Sequence, residues 1–328
     1  MNKIAILGGG MFGYAMANYL ADKYPINLYD VDEELVCYLN ENNKHKYHFR
    51  DVLKSPNIKA SCNIMTSVED CDLIVIAVPS KFIRTVIKEI KPYVKNHIKI
   101  LNLSKGLELE SKEIPSIVVE EELNDIDYSF ATLTGGMIAK EFAEKKPLFA
   151  GIGSRDKEFL VELKELLTSD SFRLIVTEDI IGIELCGPLK NIGAIFAGYL
   201  QGKGYDCSTI GGFLTEFSKE AETIALRLGG EESTFLSTSP AWSGDLFTSC
   251  FGDSRNKKFG VSIGETDDVK SVLDEMKEKH LLIEGYINTK IFYDIARKKE
   301  LKTPIIDSIY ELLYENKKIN ISELMNKI

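Results

Sequence analysis

Short apolar runs alternate with stretches of helical period through the first half of the chain. Residues 4–7, 26–29, 73–78, 98–103, 129–133, 148–152 and 172–176 are apolar without strict alternation, which predicts strands covered on both faces. Residues 12–24, 82–93 and 157–167 carry the spacing of helices packed between them. Strand–helix alternation of this kind predicts a parallel, doubly wound sheet. From Glu178 onward the period is helical almost throughout, over 180–200, 211–228, 269–279, 283–298, 304–315 and 321–328. Pro304 suits the first turn of its helix, where a missing N–H costs nothing. The expected fold is therefore an α/β domain over residues 1–178 followed by an all-α domain over 179–328.

At 328 residues the chain is long enough for two cores. Its formal charge of −10 argues against a nucleic-acid partner, yet local basic clusters can still hold an anionic substrate. No run of about 18 apolar residues stands out, so membrane insertion is not expected. The N-terminus opens directly into an apolar strand, which leaves no room for a leader peptide and suggests a cytoplasmic protein. Six cysteines, at 37, 62, 71, 186, 207 and 250, form no C-x-x-C pair and are expected to be free thiols in a reducing compartment. His45 and His48 stand three apart in a polar stretch without a carboxylate pair, so no metal site is expected.

The first strand runs into Gly8-Gly9-Gly10-Met11-Phe12-Gly13, a G-x-G-x-x-G loop that opens a helix. Gly8 permits the tight turn, Gly10 lets a pyrophosphate approach the backbone, and Gly13 lets the helix pack on the strand. The N–H groups at the helix start then face the phosphates. Strand context on one side and helix context on the other turn a weak motif into a strong one, and the fold becomes a Rossmann-type sheet. Asp30 ends the second strand 20 residues after Gly10, where a carboxylate can accept from the ribose hydroxyls and repel a 2′-phosphate. That favours NAD over NADP; the plainer alternative is that Asp30 or Asp32 only caps the next helix. A further strand ends at Ala77-Val78-Pro79-Ser80, at the sheet edge where a nicotinamide ribose would lie.

Further along, the chain resembles the soluble, two-domain NAD(P)-dependent glycerol-3-phosphate dehydrogenases. The resemblance is carried nearly end to end by the Gly8–Gly13 loop, by Ala77-Val78-Pro79-Ser80 and by Ser104-Lys105-Gly106. Gly182-Ile183-Glu184-Leu185-Cys186-Gly187-Pro188-Leu189-Lys190-Asn191, Gly244-Asp245-Leu246, Ser254-Arg255-Asn256-Lys257-Lys258-Phe259-Gly260 and Ile283-Glu284-Gly285 complete it. It implies reversible hydride transfer between NADH and dihydroxyacetone phosphate. It also implies Lys190 as proton donor to the carbonyl oxygen, Lys105 as a second cation there, and Asp245 as partner of the lysines. Arg255 and Asn256, with Ser254 and Asn191, would hold the phosphorylated substrate. Met11, Phe12, Pro79, Phe82, Ala139, Arg255 and Glu284 would join Gly8, Gly10, Gly13 and Asp30 around the cofactor, and the family commonly works as a homodimer. The chemistry agrees: reducing a ketone needs a positive acid where oxygen gains charge, and a planar guanidinium suits phosphate oxygens. Lys190 lies in an otherwise apolar helical stretch, the wrong place for a solvated charge.

Departures from the family fall on the expected substrate side. Ile210 and Glu216 stand where a lysine and an arginine are usual, Trp242 lies where small residues are usual, and Met137 replaces a serine or asparagine. Two other readings follow: a dehydrogenase of another small polyol or hydroxy-acid phosphate, or a silent NAD-binding sensor. Retention of Lys105, Lys190, Asp245 and Arg255 together argues against the sensor.

Overall fold

A computed structural model describes residues 3–49, 51–279 and 281–328. The chain separates into two compact units, Met1–Ile180 and Ile181–Ile328.

The first unit is built on an eight-stranded sheet: β1 (Ile4–Leu7), β2 (Ile26–Tyr29), β3 (Ile58–Ser61), β4 (Leu73–Ile76), β5 (Ile98–Asn102), β6 (Tyr128–Thr134), β7 (Leu148–Gly153) and β8 (Phe172–Thr177). Their spatial order is β3-β2-β1-β4-β5-β6-β7-β8. β1 and β4 are buried at every position, as continuous apolar runs should be when helices cover both faces. The chain winds outward from β1 in both directions, and the crevice between the carboxyl ends of β1 and β4 is the topological switch point. Register fixes it: Leu7 lies beside Tyr29 on one side and Ile76 on the other.

The sheet is not wholly parallel, as the alternation of elements had suggested: β7 runs antiparallel to β6. The connection explains the reversal. β6 has seven residues, roughly 23 Å of strand. The only helix in the link, Ala139–Ala143, has five residues and spans roughly 7.5 Å. Most of the link is loop, and it returns the chain at the same end of the sheet instead of crossing it as a helical crossover would. β3 was not foreseen from the sequence. It is a four-residue edge strand whose Lys59 is exposed, so its pattern carries little apolar signal.

Among the described residues the second unit holds helices and no strand. Its core is the Ile180–Gly202 helix, 23 residues with Pro188 inside, followed by Cys207–Arg227, Asp245–Phe251, Arg255–Thr266, Val269–Glu278, Glu284–Lys298 and Pro304–Glu315. By length and composition Ile180–Gly202 could cross a membrane, which the absence of a pure apolar run had hidden, but 94% of its most apolar window is buried inside the protein. Two helices cross it or cap it closely. Against Arg255–Thr266 the approach is backbone to backbone: a Cβ on Gly198 would lie 2.1 Å from the Lys257 carbonyl oxygen, and one on Gly260 2.1 Å from that of Ile195. Against Glu284–Lys298, Asn288 donates to the Pro188 carbonyl at 3.2 Å.

Candidate functional site

In the first unit the glycine-rich turn occupies the switch point. Gly8 has φ +112°, and its N–H donates to the Tyr29 carbonyl at 2.8 Å. A Cβ there would meet the Ala77 carbonyl at 2.8 Å, and a Cβ on Gly13 would lie 1.9 Å from the Gly8 oxygen. Both glycines are demanded by packing within the protein. Gly10 is different. A Cβ on it would touch no atom within 4 Å, so packing does not explain the glycine. It is the N-cap of Met11–Ala21 and makes no side-chain cap, which leaves the first N–H groups of that helix for an incoming anion. Open space above an uncapped helix start is the cradle a dinucleotide pyrophosphate requires, and these residues fit that group.

Asp30 stands against this loop. Its Oδ2 accepts from the Gly9 N–H at 2.6 Å and its Oδ1 from the Asp32 N–H at 2.9 Å. The helix cap is Asp32 instead, accepting from the Leu35 N–H at 3.0 Å. Met11 and Phe82 are exposed, Phe12 is half-buried against Phe142, and Pro79 precedes the single turn Ser80–Phe82. Ala139 starts the short helix after β6.

Lys105 follows β5 in a turn with Gly106 at φ +123°, and its Nζ donates to the Gly135 carbonyl at 2.6 Å. Asn102 pins that turn: its Oδ1 accepts from the Ser104 N–H at 3.0 Å, and its Nδ2 donates to the Ser104 carbonyl and to Thr132. Met137, in the loop after Gly135, packs on the apolar core of this unit rather than standing as a polar ligand.

In the second unit Lys190 is buried in the core helix, 9% exposed. Its Nζ lies 3.2 Å from Asp245 Oδ1 and donates to Ser249 Oγ at 2.6 Å. A buried ammonium persists only when paired and hydrogen-bonded, and both conditions are met. Ser249 escaped the sequence reading because Asp245–Phe251 was not recognised as a helix; Asp245 and Ser249 are four apart and share one face. Cys250 is next in the chain but is no nucleophile. Burial pushes its thiol up to about 12, although the Lys190 charge opposes this.

Neighbouring polar groups are tied to the same helices. Asn191 donates to Glu284 Oε2 at 3.1 Å, and Asn256 Oδ1 accepts from the Gly285 N–H at 2.9 Å. Ser254 caps Arg255–Thr266 through the Lys257 N–H and donates to the Ser249 carbonyl at 2.7 Å. Arg255 sits at the first position of that helix, exposed, with no ion pair among the described residues. Lys257 and Lys258 lie in the same helix.

Three of the departures do not build a substrate wall. Trp242 is 2% exposed and packs against Phe235 at 5.1 Å and Phe217 at 6.3 Å between ring centroids. Ile210 is buried core, and Glu216 is held by Lys219 one turn on, at 2.8 Å. An aromatic cluster in place of small residues is a repacking of the helical core. All six cysteines are free thiols.

Residues 3–160 match the family described as NAD-dependent glycerol-3-phosphate dehydrogenase N-terminus, and residues 179–323 match the corresponding C-terminus. A protein named glycerol-3-phosphate dehydrogenase [NAD(P)+] from Clostridium botulinum strain Alaska E43 is 34% identical over 99% of this chain and 97% of its own. One of the same name from Leptospira biflexa is 33% identical over 96% and 94%. The crystal structure of glycerol-3-phosphate dehydrogenase from Coxiella burnetii, 28% identical, superimposes with a TM-score of 0.87 over 99% of this chain and 98% of that one.

Proposed function

Since the chain belongs to the NAD-dependent glycerol-3-phosphate dehydrogenase family, we propose how its own residues divide that family's work. It is an oxidoreductase acting on a CH–OH group, transferring hydride between NAD(H) and glycerol 3-phosphate or dihydroxyacetone phosphate. The first unit serves as the cofactor domain and the second as the substrate domain.

When bound, the nicotinamide supplies or accepts the hydride. The turn Gly8–Gly13 and the start of Met11–Ala21 hold its pyrophosphate, and Asp30 takes the adenosine ribose and disfavours a 2′-phosphate. Met11, Phe12, Pro79, Phe82, Ala139, Arg255 and Glu284 complete the contacts. Lys190 is the acid at the substrate oxygen. Asp245 and Ser249 occupy two of its N–H directions, which leaves one for the carbonyl and fixes where the proton is delivered. Lys105 adds a second positive charge. Arg255 grips the phosphate with its planar fork at a helix start, where backbone N–H groups add to the pull, and Ser254, Asn256 and Asn191 orient the rest.

The observation that carries this division is the buried Lys190–Asp245 pair. A buried ion pair of this kind carries a desolvation cost that well-packed apolar residues would avoid, which favours a functional role for it. The polar groups around it also favour the reductase over the silent-sensor reading. Purified protein with NADH and dihydroxyacetone phosphate tests it: oxidation of NADH that collapses in Lys190→Ala supports the assignment, and unchanged turnover in that variant removes it. We further propose that the protein is a cytoplasmic homodimer, as the family resemblance and the six free thiols suggest; sedimentation at micromolar concentration tests the dimer.

A further inference from the structure

The histidine pair that suggested no metal chemistry has a different use. His45 lies in the excursion between the Glu33–Asn42 helix and β3, and it is 2% exposed. Its Nε2 is 2.8 Å from the carbonyl oxygen of Gly9, the middle residue of the glycine-rich turn. The other ring nitrogen fixes the direction of that bond. Nδ1 receives the backbone N–H of Tyr47 and of His48, each at 3.1 Å. Two donors require a lone pair at Nδ1, so the proton of the neutral ring sits on Nε2 and is donated to Gly9. Asp30 holds the N–H of the same residue at 2.6 Å. Both polar groups of Gly9 are thus gripped by side chains from outside the loop.

The excursion itself is anchored. The ring of Tyr14, on the helix that starts from Gly10, stands edge-on to His45 at 5.1 Å, and the Tyr14 hydroxyl donates to the Val52 carbonyl at 3.0 Å. Helix, turn and excursion form one closed circuit through Gly9, His45 and Tyr14.

We propose that His45 is a positioning residue for the cofactor: by bonding the Gly9 carbonyl it holds the turn open at Gly10, so that the pyrophosphate meets a preformed cradle. The circuit is pH-sensitive by construction. A proton on Nδ1 would face two N–H groups with no acceptor. The charged and titratable groups acting on the ring are Asp30 and Asp32 after β2, Tyr14 on the first helix, and Tyr47 and His48 on its own segment; Lys46, next in the chain, pairs with Glu34. Burial, reinforced by the neighbouring His48, keeps His45 below the ordinary imidazole range, against the Gly9 carbonyl and the pull of Asp30 and Asp32. The ring is neutral near pH 7, with its Nδ1 lone pair free to accept; acid puts a proton there that meets two N–H groups, which unseats the ring and with it the grip on Gly9.

The proposal rests on the glycine-rich turn being the cofactor site, so the test separates the two. NAD+, which tolerates acid, is titrated calorimetrically into wild type, Gly10→Val, His45→Ala and His45→Gln. Gly10→Val should abolish binding; if it binds normally, the turn is not the site and the proposal falls with that reading. With binding abolished there, His45→Ala should bind about tenfold more weakly than wild type, the worth of one positioning hydrogen bond. Its turnover at saturating cofactor should be nearly unchanged. A wild-type affinity in His45→Ala overturns the proposal alone. His45→Gln can donate to Gly9 but cannot titrate. As pH falls below the ordinary imidazole range, wild type should therefore lose affinity relative to it. A constant ratio between the two would also overturn the proposal, and this arm stands even if the alanine variant fails to fold.

Discussion

Lys190 and Asp245 form an ion pair of 3.2 Å whose side chains are 11% and 3% exposed. Each makes the other tolerable in the core of the second unit. Removing one partner of such a pair strands the other charge and typically costs about 3–5 kcal/mol. The pair is also the proposed acid, so stability and catalysis can be separated by choice of variant.

Lys190→Ala is expected to lower turnover by about 100- to 10,000-fold, the usual worth of a positioned acid. NADH affinity should be nearly unchanged, because the proposed cradle lies in the other unit. Lys190→Arg should rescue poorly, since a guanidinium keeps its proton and has another shape. Steady-state turnover beside a direct NADH titration checks both points. Loss of NADH binding together with turnover would mark Lys190 as structural.

Ser249→Ala removes the hydroxyl that accepts from Lys190 at 2.6 Å without removing the charge pair. A loss of roughly tenfold in kcat is expected, with folding stability lowered by about 1–3 kcal/mol because a buried ammonium loses one acceptor. A kcat equal to wild type would show that Asp245 alone orients the ammonium.

Arg255→Ala should act mainly on the substrate constant, weakening dihydroxyacetone phosphate by roughly 2–5 kcal/mol if the phosphate charge is left unpaired. The arginine has no ion pair to lose among the described residues, so folding stability should hold. Kinetics with the phosphorylated substrate and with dihydroxyacetone distinguish the outcomes: an equal effect on both would take Arg255 away from the phosphate.

NADH should be preferred over NADPH by at least about tenfold in kcat/KM, because a 2′-phosphate would meet the Asp30 carboxylate. Asp30→Ala should erase most of that preference. It should also weaken both cofactors, since the bond to the Gly9 N–H goes with it. Equal efficiency with the two cofactors in wild type would show that Asp30 serves the loop alone.

Glu220 makes the second unit sensitive to pH away from the site. It is 7% exposed, and its carboxylate accepts from the Ile305 and Ile306 N–H groups at 2.7 and 3.0 Å, at the start of Pro304–Glu315. Burial pushes it up to about 7 despite these bonds. The folded state therefore prefers the protonated acid. That contribution is complete below the ordinary carboxyl range and is lost as pH rises through about 7. Relative to Glu220→Gln, wild type should lose about 1–3 kcal/mol of stability between about pH 5 and about pH 8. Melting curves of the two proteins across that range check it; a pH-independent difference would mean that the two N–H groups outweigh burial.

How much of this was legible beforehand varies with the physical signal. β1, β2 and Lys157–Leu167 could be read to the residue, because apolar runs between sharp turns have few alternative explanations. The glycine-rich turn was legible because Gly8 and Gly13 have steric duties that sequence spacing encodes. Arg255–Thr266 was not, since Gly260 and Gly264 look like breaks until the neighbouring backbone that needs them is seen. The antiparallel β7 was not, since an apolar run reads the same in either direction, and the proposed job of His45 depends on a contact with Gly9 across 36 positions. Trp242 was misjudged because nearness in sequence to Asp245 says nothing about which way a ring turns.

Where Gly198 and Gly202 meet Gly260 and Gly264, main chain rests on main chain, and four glycines leave no side chain whose rotamer could adjust the spacing. The helix that carries Lys190 and the one that begins with Arg255 are thereby gauged against each other by the least variable part of any protein. If Lys190 and Arg255 hold the two ends of the substrate as proposed, its length is a quantity this scaffold cannot tune by sliding its helices. A laboratory search for variants that accept a longer phosphate ester should accumulate exchanges at the tips of side chains such as Arg255 and Asn256, while the four glycines stay untouched in every survivor.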